Sequence, residues 1–221
     1  MPAARVTPMS GSQADTVSVA AAPGERLSKG ARTRLRILDA GAHVLRTRGY
    51  AETRLSDIAE VAGLQTGSLA FHFPSKTELL EEVLRHGFEA GLDMVRSKVE
   101  ALGPDADPVS RLGAAVSAHL TALEERADYA PALLRTMDQF PPENRHRLRD
   151  LDHGYVGYWR ELLEAAQTAG QVPGDLDPAV LSRLVLGAMN STLGQPGLAP
   201  RGKVTHTILR MLGLSDPARS G

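Results

Sequence analysis

The chain has 221 residues, enough to bury a sizeable core in one or two domains. It has no cysteine, which excludes disulfides, thiolate catalysis and cysteine-ligated metals and suits a reducing cytoplasm. Its net charge is -1, yet residues 25–49 carry seven basic and two acidic side chains. Such a basic segment is typical of nucleic-acid binding, although a charged helix is more often simply solvated. No apolar run reaches the roughly 20 residues of a membrane span, so we predict a soluble, cytoplasmic protein without a membrane partner.

Residues 1–24 are rich in Ala, Pro, Ser, Thr and Gly and contain few large apolar side chains. This composition predicts a disordered N-terminal arm and does not have the pattern of a signal peptide. An inert tail is one interpretation. The other is that Lys29, at the root of the arm, contacts DNA.

An amphipathic helix is predicted over residues 30–48. Its apolar positions recur at helical spacing and include Ile37, Leu38, Gly41, Val44 and Leu45. Gly49 is expected to end this helix, and the following Tyr50 to pack on a small core. Gly41 lies inside the helix, where glycine is expected to cost about 1 kcal/mol relative to alanine.

Residues 55–80 predict a helix-turn-helix followed by a longer helix. The first short helix has an apolar stripe that includes Ile58, and Gly63 supplies the turn. The second short helix begins near Thr66 and buries Leu69 and Phe73. Pro74 cannot continue it, and Ser75 with Glu78 forms a capping box for the next helix.

The rest of the chain has helical periodicity and no alternating strand pattern. Further helices are predicted at residues 76–100, 108–126, 129–138, 142–170, 177–193 and 200–213. The predicted fold class is therefore all-α. A three-helix, helix-turn-helix domain at 25–75 is predicted to be joined to a larger α-helical domain at 76–221.

The segment 32–85 resembles the DNA-binding segment of the tetracycline-repressor (TetR) family of bacterial regulators. The matching residues are Gly49-Tyr50, Ala62-Gly63 and His72-Phe73-Pro74-Ser75-Lys76, together at these spacings. The resemblance implies a homodimeric transcriptional regulator, most often a repressor, that binds a palindromic double-stranded DNA operator. It also implies that residues 25–75 are a DNA-binding domain and residues 76–221 an α-helical ligand-binding and dimerisation domain. A small-molecule effector bound to the second domain would release the protein from DNA.

The resemblance makes residues 66–72 the recognition helix. Thr66 and Phe71 are the predicted base-facing residues, because a threonine or a phenyl ring can contact thymine methyl groups. The alternatives are that Phe71 is half buried and that His72 only makes hydrogen bonds within the domain. Arg54 is expected to reach a phosphate in place of a tyrosine that relatives often carry at the position of Ala70. The predicted DNA contacts are Lys29, Arg54, Thr66, Gly67, Ser68, Ala70, Phe71, His72 and Lys76.

Two helical stripes in the second half of the chain predict a dimer interface, since relatives pair two carboxy-terminal helices as a four-helix bundle. Taken alone, either stripe could be ordinary core. The predicted interface residues are Leu148, Leu151, Tyr155, Trp159, Leu162, Leu181, Leu184, Val185 and Ala188.

A ligand pocket is predicted beyond residue 85. Its candidate residues are Phe88, Leu92, His119, Met137 and Asn190. Residues 160–190 resemble the branch of the family that responds to acyl-CoA, so the expected effector is an acyl-CoA or another hydrophobic ligand.

Two other classes of function compete with the regulator. One is an all-α ligand-binding protein or enzyme that keeps the scaffold without regulatory DNA binding. The other is an interaction module whose helix-turn-helix binds protein. The sequence has no phosphate loop, nucleophile motif, paired-carboxylate signature or metal-ligand cluster, so we predict no enzyme activity, no cofactor and no metal.

Overall fold

The computed structural model describes residues 28–193, 195 and 198–214, and these residues form α-helices without any strand. The all-α prediction is confirmed, whereas the predicted arm at 1–24 lies outside the described residues. The helices are α1 (Lys29–Glu52), α2 (Leu55–Val61), α3 (Thr66–His72), α4 (Lys76–Glu100), α5 (Pro108–Glu125), α6 (Tyr129–Thr136), α7 (Pro142–Thr168), α8 (Pro178–Asn190) and α9 (Arg201–Met211). In the described part of the chain, no helix is long and apolar enough to cross a membrane.

The helix ends follow the local signals in the sequence. Gly49 adopts φ +77°, a left-handed conformation that interrupts α1 where its end was predicted. Ser75 begins α4, since its Oγ accepts a hydrogen bond from the Glu78 backbone N–H at 3.1 Å. The Glu78 carboxylate then accepts from Ser75 Oγ at 3.2 Å, so the predicted capping box is closed through the hydroxyl. By contrast, neither Arg54 before α2 nor Gln65 before α3 caps its helix with a side chain.

A first hydrophobic cluster, the head cluster, holds the helix-turn-helix together. It contains buried residues of α1, α2 and α3 and of the first half of α4. Tyr129 and Ala132 of α6, together with Phe140 and Leu148, complete the same cluster. Helices on both sides of the predicted domain boundary at residue 75 therefore share one cluster, because α4 and α6 pack with α1, α2 and α3.

A second hydrophobic cluster, the body cluster, fills the space between the second half of α4 and helices α5, α7, α8 and α9. Its fully buried members include Val95, Leu112, Trp159 and Met189. A charged contact joins the start of α7 to α4 beside the head cluster: Arg147 pairs with Glu81, with an N–O distance of 2.5 Å.

Gly41 has a packing role that the sequence does not reveal. It is buried where α1 crosses α4, and a Cβ at this position would lie 2.7 Å from Cγ2 of Val83. Valine is stiff about χ1, so this methyl group cannot easily turn away. The expected cost of a glycine inside α1 is therefore offset by a closer approach of the two helices.

Gly41→Ala is expected to lower the free energy of unfolding by about 1–2 kcal/mol, because overpacking against Val83 outweighs the gain in helix propensity. Gly157→Ala in α7 is the matched control. No atom lies within 4 Å of the Cβ it would add, so it is expected to stabilise the protein by up to about 1 kcal/mol. Chemical denaturation at one fixed protein concentration measures both. Equal stabilisation by the two alanines would contradict the close approach at Gly41.

Candidate functional site

Helix α3 presents one uncovered face to solvent. Five of the predicted contact residues lie on this face and are exposed: Thr66, Gly67, Ser68, Ala70 and Phe71. The Phe71 side chain is 88% exposed, which excludes the half-buried alternative. A Cβ at Gly67 would have no atom within 4 Å, so another backbone can approach this position closely.

The opposite face of α3 fixes the helix to the head. Leu69 is fully buried and Phe73 is 3% exposed, and both belong to the head cluster. The guanidinium of Arg34 lies 4.5 Å from the centre of the Phe73 ring and also pairs with Glu82 at 2.7 Å. Gly63, at φ +62°, makes the turn that brings α3 across α2. The recognition helix is therefore held rigidly while its outer face stays open.

His72 lies at the end of α3 and is half buried. Its imidazole has no hydrogen-bond partner among the described residues, so the alternative of an internal hydrogen bond is not realised. Its ring meets the Phe71 ring edge-on, with 5.6 Å between centroids.

The structure gives Lys76 a different contact from the predicted one. Its Nζ donates to the carbonyl oxygens of Tyr50 at 3.0 Å and Ala51 at 3.2 Å, and it lies 4.9 Å from the Tyr50 ring centre. This ammonium is already engaged by two carbonyl oxygens of the segment after Gly49. It therefore stabilises the head instead of projecting toward a phosphate.

The basic segment at 25–49 is less positive than its composition indicates. Arg34, Arg46 and Arg48 each form an ion pair with a carboxylate, with N–O distances of 2.5–2.7 Å. Lys29 and Arg54 are exposed, and neither side chain has a hydrogen bond or ion pair to another described residue. The cations available for phosphate contacts are therefore fewer than the composition predicts.

A pocket of about 270 Å³ lies between α4, α5, α6, α7 and α8. Of the predicted pocket residues, Phe88, His119 and Asn190 line it. Leu92 and Met137 do not: Leu92 is partly buried elsewhere on α4, and Met137 packs against the head cluster. Met137 was misplaced because it directly follows α6, whose far side faces the head.

The floor of the pocket carries a neutral hydrogen-bonded triad. His119 Nδ1 lies 2.6 Å from the Tyr155 hydroxyl, and His119 Nε2 lies 3.2 Å from Asn190 Oδ1. Burial lowers the pKa of His119 to about 4, with only partial compensation from the Asn190 hydrogen bond, so the ring is neutral at pH 7. If Nε2–H donates to Asn190, Nδ1 accepts the Tyr155 proton, and the phenol oxygen keeps its lone pairs for a ligand.

Arg126 and Tyr129 are among the pocket residues that the sequence did not predict. Both line the pocket near the junction of α5 and α6. The Tyr129 hydroxyl donates to Asp39 Oδ1 of α1 at 2.7 Å. Burial and the neighbouring Asp39 raise the pKa of Tyr129, so the phenol stays protonated as this donor. The periodicity of the sequence could not reveal that these two residues line a pocket. A charged residue at a helix end, such as Arg126, is normally solvated.

Four of the nine predicted interface residues are buried within the protomer and are therefore core. Leu148 and Trp159 are fully buried in the protomer, Val185 is 6% exposed and Leu162 is 8% exposed. Leu151, Tyr155, Leu181 and Ala188 are partly buried against the chain's own clusters, and Tyr155 lines the pocket. The stripe is the inward face of α7, because α7 packs on α4 and α5 within the same chain. The spacing of apolar residues alone does not distinguish a helix face that packs within its own chain from one that packs on a partner protomer.

A different apolar strip on and before α8 is exposed. Leu184 is 64% exposed, Val180 is 56% exposed and Leu176 is 42% exposed. They are spaced four residues apart, which places Val180 and Leu184 on one side of the helix. Of the predicted interface residues, Leu184 is thus the one with a large exposed side chain.

In the part of the chain that the structure describes, no group of three or more His, Cys, Asp or Glu side chains is arranged to hold a metal ion. His146 and His153, which share one face of α7, are both exposed, and His146 pairs with Asp150 at 3.1 Å.

Comparison with known proteins assigns both parts of the chain to one family. Residues 37–83 match the model of bacterial regulatory proteins of the tetR family, and residues 105–193 match the tetracyclin repressor-like C-terminal domain. The HTH-type transcriptional repressor KstR2 of Rhodococcus jostii (strain RHA1) is 28% identical over 165 residues, which are 74% of this chain and 79% of that protein.

Two solved structures have a similar fold. The TetR family regulator PfmR from Thermus thermophilus is 25% identical with a TM-score of 0.65, over 82% of this chain and 99% of that chain. The regulator FadR from Bacillus subtilis, in complex with stearoyl-CoA, is 19% identical with a TM-score of 0.66, over 80% of this chain and 96% of that chain. All three proteins are named as regulators and none as an enzyme. Since the two family models span both the recognition helix and the pocket, this chain belongs to the TetR family of DNA-binding transcriptional regulators.

Proposed function

We propose that the protein is a homodimeric repressor that binds a palindromic operator through α3 of each protomer and leaves it when an apolar small molecule occupies the pocket. The observation that carries the proposal is the uncovered face of α3, where a large apolar ring protrudes from a helix that is otherwise fixed to the head. A phenyl ring left in water has no structural purpose there, but it can pack against thymine methyl groups in the major groove.

The DNA contacts divide into base-reading and phosphate-binding residues. Thr66 and Phe71 lie on the exposed face of α3 as the base-reading pair, with Gly67, Ser68 and Ala70 small enough to admit the DNA backbone. Lys29, Arg54 and His72 supply positive or hydrogen-bonding groups for phosphates. A palindromic operator follows from a two-fold dimer, whose heads would meet half-sites one helical turn, about 34–36 Å, apart.

A gel mobility shift on DNA from upstream of the protein's own gene tests the proposal. We expect a palindromic fragment to bind at least about 1,000-fold more tightly than unrelated DNA, with an affinity that falls steeply between about 50 and 200 mM salt. Equal affinity for all sequences would reject a sequence-reading repressor. No binding to any DNA would favour the ligand-binding protein or the protein-interaction module instead.

Arg54→Ala is expected to weaken binding to specific and unrelated DNA alike and to lower the salt-dependence slope by about one, because its exposed guanidinium has no partner in the described chain. Lys76→Ala is the comparison. It is expected to keep the slope and to lower the free energy of unfolding by about 1–2 kcal/mol through two lost hydrogen bonds. If Lys76→Ala lowered the salt-dependence slope and Arg54→Ala did not, Lys76 instead of Arg54 would be the phosphate contact, as the sequence predicts.

The proposed release mechanism uses α6, which is shared between head and pocket. Ala132 of α6 is buried in the head cluster, whereas Ala130, Leu133 and Leu134 line the pocket. Tyr129 holds α1 through Asp39, so a shift of α6 on ligand binding would move the head. The ligand must bind the DNA-incompetent arrangement more tightly, since equal affinity for both arrangements shifts nothing.

The proposed effector is a molecule with a long apolar chain, with acyl-CoA as the first candidate class. The lining is mostly aliphatic and aromatic, and the stearoyl-CoA complex of FadR supports an acyl ligand in a fold of this kind.

A further inference from the structure

Arg126 is a cation in the pocket wall without an oxygen partner. It follows the last residue of α5 and is half buried. Its Nη1 donates to His86 Nε2 at 3.3 Å, and its guanidinium lies 5.5 Å from the centre of the Tyr129 ring. Burial and the nearby guanidinium lower the pKa of His86, so His86 brings no charge of its own. Within the described ranges, no carboxylate lies within 4.0 Å of Arg126.

Other half-buried arginines in the described chain are satisfied by oxygen. Arg34 and Arg85 pair with carboxylates, and Arg111 donates to three backbone carbonyls. Removing a guanidinium from water is costly unless an acceptor replaces the water. Binding of an anionic ligand would therefore stabilise the Arg126 guanidinium more than it would stabilise the guanidinium groups of these arginines.

The other charges in the pocket lining do not compete for that role. Asp152 is held by Arg183 of α8, with an N–O distance of 3.4 Å. The rest of the lining near Arg126 is apolar and includes Phe88, Leu123 and Leu133. A pocket with one unneutralised cation among apolar walls matches an amphiphilic anion better than a neutral hydrocarbon.

We propose that Arg126 makes this pocket a receptor for an apolar molecule that carries one anionic oxygen group, a carboxylate or a phosphate. The guanidinium exchanges its hydrogen bond to His86 for hydrogen bonds to the anion. The aliphatic side chains of the lining enclose the apolar part of the ligand. The inference rests on the proposed role of the pocket as the effector site, but it does not depend on DNA binding.

The geometry also suggests the length of the ligand. His119 of the neutral triad lies seven residues before Arg126 along α5, which is about 10 Å at the rise of an α-helix. A body of about eight to twelve carbons spans that distance. Decanoate is therefore a suitable probe, with decyl phosphate and decanol as partners of equal chain length.

The single tryptophan provides the readout. Trp159 is fully buried, and its ring lies 5.8 Å from the His119 ring at the pocket floor. Fluorescence titration of the full-length protein without DNA is expected to give at least about tenfold tighter binding of decanoate or decyl phosphate than of decanol. The tighter of the two anions identifies the anionic group. Equal affinities for acid and alcohol, or no binding of any probe, would overturn the proposal.

Arg126→Gln is expected to weaken binding of the anion by about 10–100-fold while decanol binding stays within about threefold. Arg126→Lys, which keeps the charge, is expected to recover part of the loss. The control is Arg135→Gln, which removes an exposed cation of α6 that does not line the pocket and is expected to change affinity less than about threefold.

The stability of the variants separates ligand binding from a structural role. Since the Arg126 guanidinium has no oxygen partner among the described residues, Arg126→Gln is expected to keep or raise the melting temperature. A lower melting temperature together with equal loss of acid and alcohol binding would mean that Arg126 is structural, and the proposal would be rejected. If anions bind through Arg126 but never affect operator binding, the effector role of the pocket fails while this inference stands.

Discussion

A Leu184→Glu variant is expected to be monomeric and to have lost tight operator binding. Leu184 protrudes from α8 with 64% of its surface exposed, and Val180 and Leu176 continue the apolar strip toward the start of the helix. An exposed strip of this kind is typical of an interface. In a two-fold dimer the substitution occurs on both sides, and a carboxylate in an apolar contact costs several kcal/mol.

We expect the dissociation constant of the dimer to rise at least about 100-fold. A monomer engages only one half-site, so it loses the gain of about 100- to 10,000-fold that comes from linking two reading heads. Sedimentation measures the first effect and a mobility shift the second. Leu102→Glu is the control: its side chain is 44% exposed, but it follows α4 and lies on none of the carboxy-terminal helices α7, α8 and α9, so this variant is expected to stay dimeric. A dimeric Leu184→Glu protein would place the interface elsewhere.

The contrast between Leu184 and Trp159 explains why the interface was only partly predictable. Both lie on apolar stripes at helical spacing. Such spacing indicates that a helix face is buried, but it does not show whether the same chain or a partner covers that face. In α7 the covering helices belong to the same chain, so Trp159 is core. In α8 the strip that includes Leu184 has no cover within the described part of the protomer.

The helix-turn-helix was predictable because its signals are local. Gly49, Gly63 and the Ser75–Glu78 cap act within a few residues of where they lie, and the structure places the helix ends there. Gly41 was misjudged because its partner, Val83, is distant in sequence. Arg126 and Tyr129 were missed for the same reason: their significance comes from His86 on α4 and Asp39 on α1.

Phe71 and Phe73 provide the sharpest test of the recognition helix, because two residues of the same type, two positions apart, have opposite environments. Phe71 is 88% exposed and Phe73 is 3% exposed. Phe71→Ala is expected to leave the free energy of unfolding within about 0.5 kcal/mol of the parent, since the ring has few contacts to lose. Phe73→Ala is expected to lower it by about 3–5 kcal/mol, because it removes a buried ring from the head cluster.

The effects on DNA binding should be separable from those on stability. Phe71→Ala is expected to weaken operator binding by about 10–100-fold and to leave binding to unrelated DNA nearly unchanged, because the ring reads bases and carries no charge. Phe73→Ala should weaken both, in proportion to the fraction of unfolded head. Denaturation curves and mobility shifts on the same preparations make the comparison. A folded Phe71→Ala protein with undiminished operator preference would remove the exposed ring from the reading surface and leave base recognition to Thr66.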